Sequence, residues 1–159
     1  MSLLVALALL GVCLLLAAFL AASETALFSL RREEQKRLLA ETSPAARAAN
    51  DLLSRPRTLL VVILLAGVTI DAFFFSVSAH LAHELSLVRG LWAIPLVGAV
   101  SVILMLALGE IAPKAIAATQ RRRAALRMAR PLLFVRELLR PIATPVERGL
   151  SALTEVVER

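Results

Sequence analysis

Apolar residues run almost unbroken over residues 3–22, and further apolar blocks follow at 58–81 and 91–108. Each is long enough to cross a hydrocarbon core of about 30 Å, which takes roughly 20 helical residues. The third block is interrupted by Gly109-Glu110-Ile111-Ala112-Pro113-Lys114 and resumes through Thr119. The pattern predicts three spanning helices, over about 3–30, 58–82 and 91–119. Residues 31–57 are polar and mixed in charge, with Leu and Ala interleaved, and residues 83–90 read as a short loop. Ser43-Pro44 reads as a helix start, a hydroxyl cap followed by proline at the first helical position. The insert therefore predicts a helical hairpin or a bent amphipathic helix over 31–55, lying at the membrane surface. From residue 121 onward, charges interrupt every run that could span. This tail predicts an amphipathic juxtamembrane helix over 121–158, wrapped around or beneath the bundle. The predicted fold is an all-α membrane protein of one domain over 1–159. It has three transmembrane helices, a cytoplasmic helical insert after the first, and a C-terminal amphipathic belt helix.

Charge orients this picture. Seven basic residues fall in 31–57, one in 83–90 and ten from 114 onward. Basic loops stay on the cytoplasmic side. The N-terminus is expected outside and the C-terminus in the cytoplasm of a multi-pass plasma-membrane protein. No basic stretch precedes the first block, which argues against a cleaved signal peptide. A net charge of +6 could suggest nucleic acid. Lys and Arg instead cluster just outside the apolar blocks, so the expected partner is the lipid bilayer with its anionic leaflet, and no nucleic acid. The chain has one Trp and no Tyr, leaving Trp92 as the single strong interfacial anchor. Cys13, the one cysteine, reads as a small core hydrophobe.

Three carboxylates sit at or near membrane depth: Glu24, Asp71 and Glu110. A charge at the bilayer centre costs about 2.5–3.5 kcal/mol on insertion scales, so such groups face the bundle interior and pair. Small polar groups surround each. Ser23 and Thr25 flank Glu24, and Gly67 and Thr69 precede Asp71. Gly109, Pro113 and Lys114 flank Glu110. Pro113 has no N–H to offer the Gly109 carbonyl, four residues before it. A carbonyl freed by a helix break is a hard oxygen ligand. Hydroxyl, carboxylate and carbonyl oxygens suit Mg²⁺, Ca²⁺ or Na⁺ rather than zinc or copper. His80 and His83 read as interfacial residues.

Ser23-Glu24-Thr25-Ala26-Leu27-Phe28-Ser29-Leu30 and Gly109-Glu110-Ile111-Ala112-Pro113-Lys114 resemble the transmembrane domain of the CorC/CNNM (cyclin M) magnesium transporters. The resemblance covers essentially the whole chain. It implies a homodimer that binds a largely dehydrated Mg²⁺ in each subunit and exports it, driven by inward Na⁺. It also implies Ser23 as hydroxyl ligand, Glu110 as carboxylate ligand, the Gly109 carbonyl as backbone ligand and Pro113 holding the break open. The tail resembles the belt helices that normally lead to a cytoplasmic CBS-domain pair.

Two features depart from that family. Its second helix usually carries a Gly-Asn pair and a further Asn, where this chain has Gly67-Val68-Thr69-Ile70-Asp71-Ala72. Thr69 and Asp71 are the candidate substitutes. Asp71 is one residue off, about 100° of helix rotation. The chain also holds no CBS pair, as expected of a truncated piece or of a member without nucleotide regulation. The leading expectation is a cation transporter with Mg²⁺ as cargo and Na⁺ as second ion, its site drawn from Ser23, Thr69, Asp71, Gly109 and Glu110. Gly67, Pro113 and Lys114 would support that site. A non-transporting anchor, sensor or partner-binding member is the alternative. An intramembrane enzyme is disfavoured, because no nucleophile and base form a set.

Overall fold

The computed structural model describes residues 2–157, and for residues 142–157 the backbone alone. Among the described residues every regular element is helical: α1 (Leu3–Phe28), α2 (Arg32–Ala40), α3 (Pro44–Ser54), α4 (Pro56–Arg89), α5 (Ala93–Leu104), α6 (Ala112–Thr119) and α7 (Arg121–Val157). A π-helical segment, Met105–Ile111, joins α5 to α6, so one continuous helix spans Ala93–Thr119. Leu3–Phe28, Pro56–Arg89 and Ala93–Thr119 are long and apolar enough to cross a membrane. The chain is an all-α, multi-pass membrane protein.

Two expectations change. The stretch read as a loop over 83–90 is the last part of α4, which ends only at Gly90. Nothing between His83 and Arg89 breaks a helix, and charge alone does not. Gly90 adopts φ +94°, the left-handed stop that glycine adopts without strain. At 1.5 Å per residue, α4 is about 51 Å long, well beyond the hydrocarbon core. The second change concerns Pro113, where the backbone was expected to unwind. It stays helical and widens instead: the Ala112 N–H donates to the Ala107 carbonyl, five residues back. A wider turn relieves the clash between the proline ring and the preceding turn without giving up helical geometry.

The chain forms two compact units. The first comprises α1 up to Ala22 together with Gly67–Ile116. Its core gathers Cys13 and Ala17 from α1, Phe74 from α4 and Met105 from the π segment, with Leu10, Leu14 and Ile70 packed against them. Cys13 is thus a core residue, as its apolar setting predicted. Phe74 and Phe75 meet edge to face, their centroids 5.4 Å apart. The Ser78 and Ser101 hydroxyls, both buried, share a hydrogen bond that ties α4 to α5. Many outward residues of this unit are large and apolar, among them Leu4, Leu15, Val68, Ile103 and Ile111. In a membrane protein these positions face lipid or a partner helix.

The second unit comprises Ser23–Ala66 and the chain from Ala117 onward. The polar insert is a helical hairpin of α2 and α3. Ser43 caps α3 as its sequence predicted, its Oγ accepting from the Ala46 N–H at 3.1 Å, with Pro44 in the first turn. The Asn50 amide donates to the Leu38 carbonyl at 2.9 Å, closing the hairpin. Leu38, Ala46, Ala49 and Leu52 are buried, as are Ala125, Ala129 and Leu132 of α7, which lies along α3. Two ion pairs fasten α7 to the hairpin: Arg122 to Glu41 at 2.7 Å and Arg136 to Asp51 at 2.6 Å. α7 runs unbroken through Pro131, Pro141 and Pro145. Residue 158, the expected end of the belt helix, lies outside the described residues.

Candidate functional site

Two of the suspect carboxylates belong to the first unit. Asp71 of α4 and Glu110 of the π segment are both partly buried and within electrostatic reach of each other. Asp71 lies on the same face of α4 as Phe74 and Ser78, at spacings of three and seven residues. Both of those residues are buried, so Asp71 is on the inward face. Gly67, four residues earlier, shares that face. Thr69 does not. It is exposed, about 200° around a regular helix from Asp71. The helix therefore separates the two residues that the sequence offered as joint substitutes for asparagine.

Gly109 is buried, and its lack of a side chain lets Met105 and Ala17 close over it. A Cβ placed there would lie 3.0 Å from the Met105 sulfur and 3.5 Å from the Ala17 Cβ. At Gly67 an added Cβ would meet nothing within 4 Å. Pro113 and Lys114 stand in the first turn of α6, each partly buried. In the register that Ala112 shows, the carbonyl five residues before Pro113 is that of Leu108 rather than of Gly109. Ser23 and Glu24 belong to the second unit, in the last turns of α1, where Ser23 is fully buried and Glu24 partly so.

Two like charges held near each other in apolar surroundings repel, and a cation between or beside them relieves both the repulsion and the desolvation. Among the described residues no three His, Cys, Asp or Glu side chains converge on one point. A cation here would draw on carboxylate oxygen supplemented by hydroxyl, carbonyl or water oxygen. That donor chemistry suits a hard ion such as Mg²⁺, which keeps several oxygen ligands of low polarisability.

Sequence reasoning missed the Ser78–Ser101 bond and the packing of Met105 on Gly109. Ser78 and Ser101 are ordinary small polar residues in apolar runs, and only the helix pairing reveals that they meet. The methionine was detectable in principle, since it stands four residues before Gly109, one helical turn away.

The family model for the cyclin M (CNNM) transmembrane N-terminal domain matches residues 8–158. The chain belongs to the CNNM family. The motifs at Ser23–Leu30 and Gly109–Lys114 had pointed to it, and the match extends over nearly the full sequence. A comparison with curated proteins gave no match. The CNNM domain belongs to a family linked to Mg²⁺ transport, a transporter-type domain rather than an enzyme family.

Proposed function

We propose that this CNNM domain transports Mg²⁺ out of the cell, coupled to inward Na⁺, and that Asp71 and Glu110 together hold the cation within the first unit. The observation that carries this reading is that these two carboxylates, on helices whose outer surfaces are apolar, lie within electrostatic reach of each other. The Glu110 carboxylate is the principal ligand, and the Gly109 carbonyl is its backbone neighbour. The hydroxyl role that the family motif implies falls on Ser23, a residue of the second unit. Asp71 supplies the charge that an asparagine would not. Mg²⁺ gives up hydration reluctantly, so a second full charge lowers the cost of stripping its water. The distribution of Lys and Arg supports a plasma-membrane orientation with the N-terminus outside. The exposed apolar helix faces support a homodimer.

The test is Mg²⁺ flux in liposomes containing the purified chain, loaded with a Mg²⁺-sensitive dye and subjected to a Na⁺ gradient. Na⁺-dependent Mg²⁺ movement is expected. Glu110→Gln should abolish it, and Asp71→Asn should weaken Mg²⁺ binding about tenfold or more, as the loss of one nearby charge implies. Ser23→Ala tests the hydroxyl separately. Absence of flux from correctly folded wild-type protein would overturn the transport reading. The apolar residues at the family's two Asn positions favour a second reading, a non-transporting sensor, which would retain Mg²⁺ binding without flux.

A further inference from the structure

The arginines of α7 divide by face. Ala125, Ala129 and Leu132 are fully buried, and Arg136 lies on the same side, paired to Asp51. Arg121 and Arg122 flank this side and are engaged too. Arg121 donates to the Ala118 and Ser29 carbonyls, and Arg122 pairs with Glu41. On the opposite face Arg123, Arg127 and Arg130 follow one another at spacings of four and three. All three are exposed, and none makes a hydrogen bond or ion pair among the described residues. The same stripe continues through Phe134 and Leu138, which are 70% and 64% exposed. At 100° per residue, these five positions fall within an arc of about 80°.

The stripe thus has a cationic half nearest the third span and an apolar half beyond it. Only Gln120 separates the end of that span, Thr119, from the start of α7. The one acid at the edge of the stripe, Glu137, is taken up by Arg136 and Arg140. Among the described residues of the second unit, no acid pairs with the three arginines, and Phe134 is left exposed. Arginine forks match phosphate oxygens, and an exposed Phe and Leu beside them suit insertion among acyl chains.

We propose that this face of α7 is a docking surface for anionic phospholipid, with Arg123, Arg127 and Arg130 on headgroup phosphates and Phe134 and Leu138 in the acyl boundary. The occupant is the membrane leaflet itself. Phosphate groups complement the three cations, whereas a second copy of the same face would oppose them with like charge. Each arginine at an anionic surface favours the docked state about fivefold, so the three together shift it by on the order of a hundredfold. The docked position of α7 is therefore sensitive to the anionic lipid content of the membrane. This inference concerns the second unit alone and stands whether or not the first unit transports Mg²⁺.

The experiment places an environment-sensitive dye at position 134 (Phe134→Cys in a Cys13→Ser background). The protein is reconstituted in nanodiscs of neutral phosphatidylcholine, or of the same lipid with a third phosphatidylglycerol. Quenching by lipids spin-labelled on the acyl chain reports docking. Strong quenching is expected in the anionic discs, with loss in Arg123→Gln/Arg127→Gln/Arg130→Gln and loss of the lipid dependence in 1 M salt. Arg47→Gln, which changes an exposed arginine on α3, should leave it intact. Equal quenching in both lipids, or quenching indifferent to the triple change, overturns the proposal. So does shielding of the dye that follows protein copies per disc rather than lipid charge. Retained α7 helicity in the triple variant, read by circular dichroism, keeps unfolding from imitating loss of docking.

Discussion

The Arg136 guanidinium lies 2.6 Å from the Asp51 carboxylate and 3.0 Å from that of Glu137, holding α7 to α3 from a position only 13% exposed. Burial alone would lower the arginine's pKa, but its bonds to the two carboxylates outweigh that and raise it. Arg136→Ala removes a guanidinium from two acids and a stem from a packed face. It should cost about 1–2 kcal/mol, more than an ordinary surface pair. Asp51→Asn should cost less, because Asp51 is 52% exposed. Arg136→Lys should restore only part of the loss, since an ammonium cannot fork between two acids. Melting temperatures in detergent check the order. Equal stability of all variants would show that the apolar contacts of Ala129 and Leu132 suffice.

Bonds from Arg136 and Arg140 hold the Glu137 carboxyl below the usual glutamate range. A depressed folded pKa contributes stability that is present above the unfolded value and lost as pH falls through the folded one. Stability contributed by Glu137 should therefore be constant from neutral pH down to about 5, then decline below about 4. Glu137→Gln should flatten that part of the acid profile. Melting curves at stepped pH make the comparison, and an unchanged acid limb in the variant would assign it to another group.

Ser43 caps the first turn of α3, its side chain accepting from the Ala46 amide. Ser43→Ala should destabilise the hairpin by about 1 kcal/mol, and Ser43→Asp should not. Faster hydrogen exchange at the Ala46 amide in the alanine variant alone is the expected sign. Identical exchange in both variants would mean that Pro44 fixes the turn without the cap.

Gly109 and Met105 should behave as a coupled pair. Gly109→Ala meets the end of a flexible methionine, which can swing aside, so a loss below about 1 kcal/mol is expected. Gly109→Val also presses on the Ala17 Cβ and should cost about 1–3 kcal/mol by overpacking. In Met105→Ala the penalty of Gly109→Ala should vanish. A double-mutant cycle on thermal stability measures it, and strict additivity would show that the two side chains do not share the space.

Much of this architecture is readable from the order of apolar and polar residues. Three long apolar runs can bury their backbone polarity in a bilayer only as helices. Ser43-Pro44 marks a helix start because its chemistry acts locally, within three residues. The failures share a cause. His83-Glu84 and Arg89 read as loop because they are polar, yet polarity decides where a helix sits rather than whether it forms. Gly109 and Pro113 read as a break because each disfavours an α-helix, and local sequence does not distinguish unwinding from a wider turn. The proximity of Asp71 to Glu110 depends on how two helices separated by a long stretch of chain pack together. No spacing within either helix encodes it.

The π segment at Met105–Ile111 is, in arithmetical terms, one residue too many for the rise it covers. Deleting a single residue there, Leu106 for instance, would let the span relax into an ordinary α-helix of nearly the same length. The flanking helices would keep nearly their present bearing, because six residues at about 100° each sweep close to the angle that seven residues of the wider turn cover. Only residues inside the segment, Glu110 among them, would be reset locally, with no atom of their side chains altered. The local setting of the carboxylate is thus encoded partly by a count of residues, and not by the acid's own side chain alone.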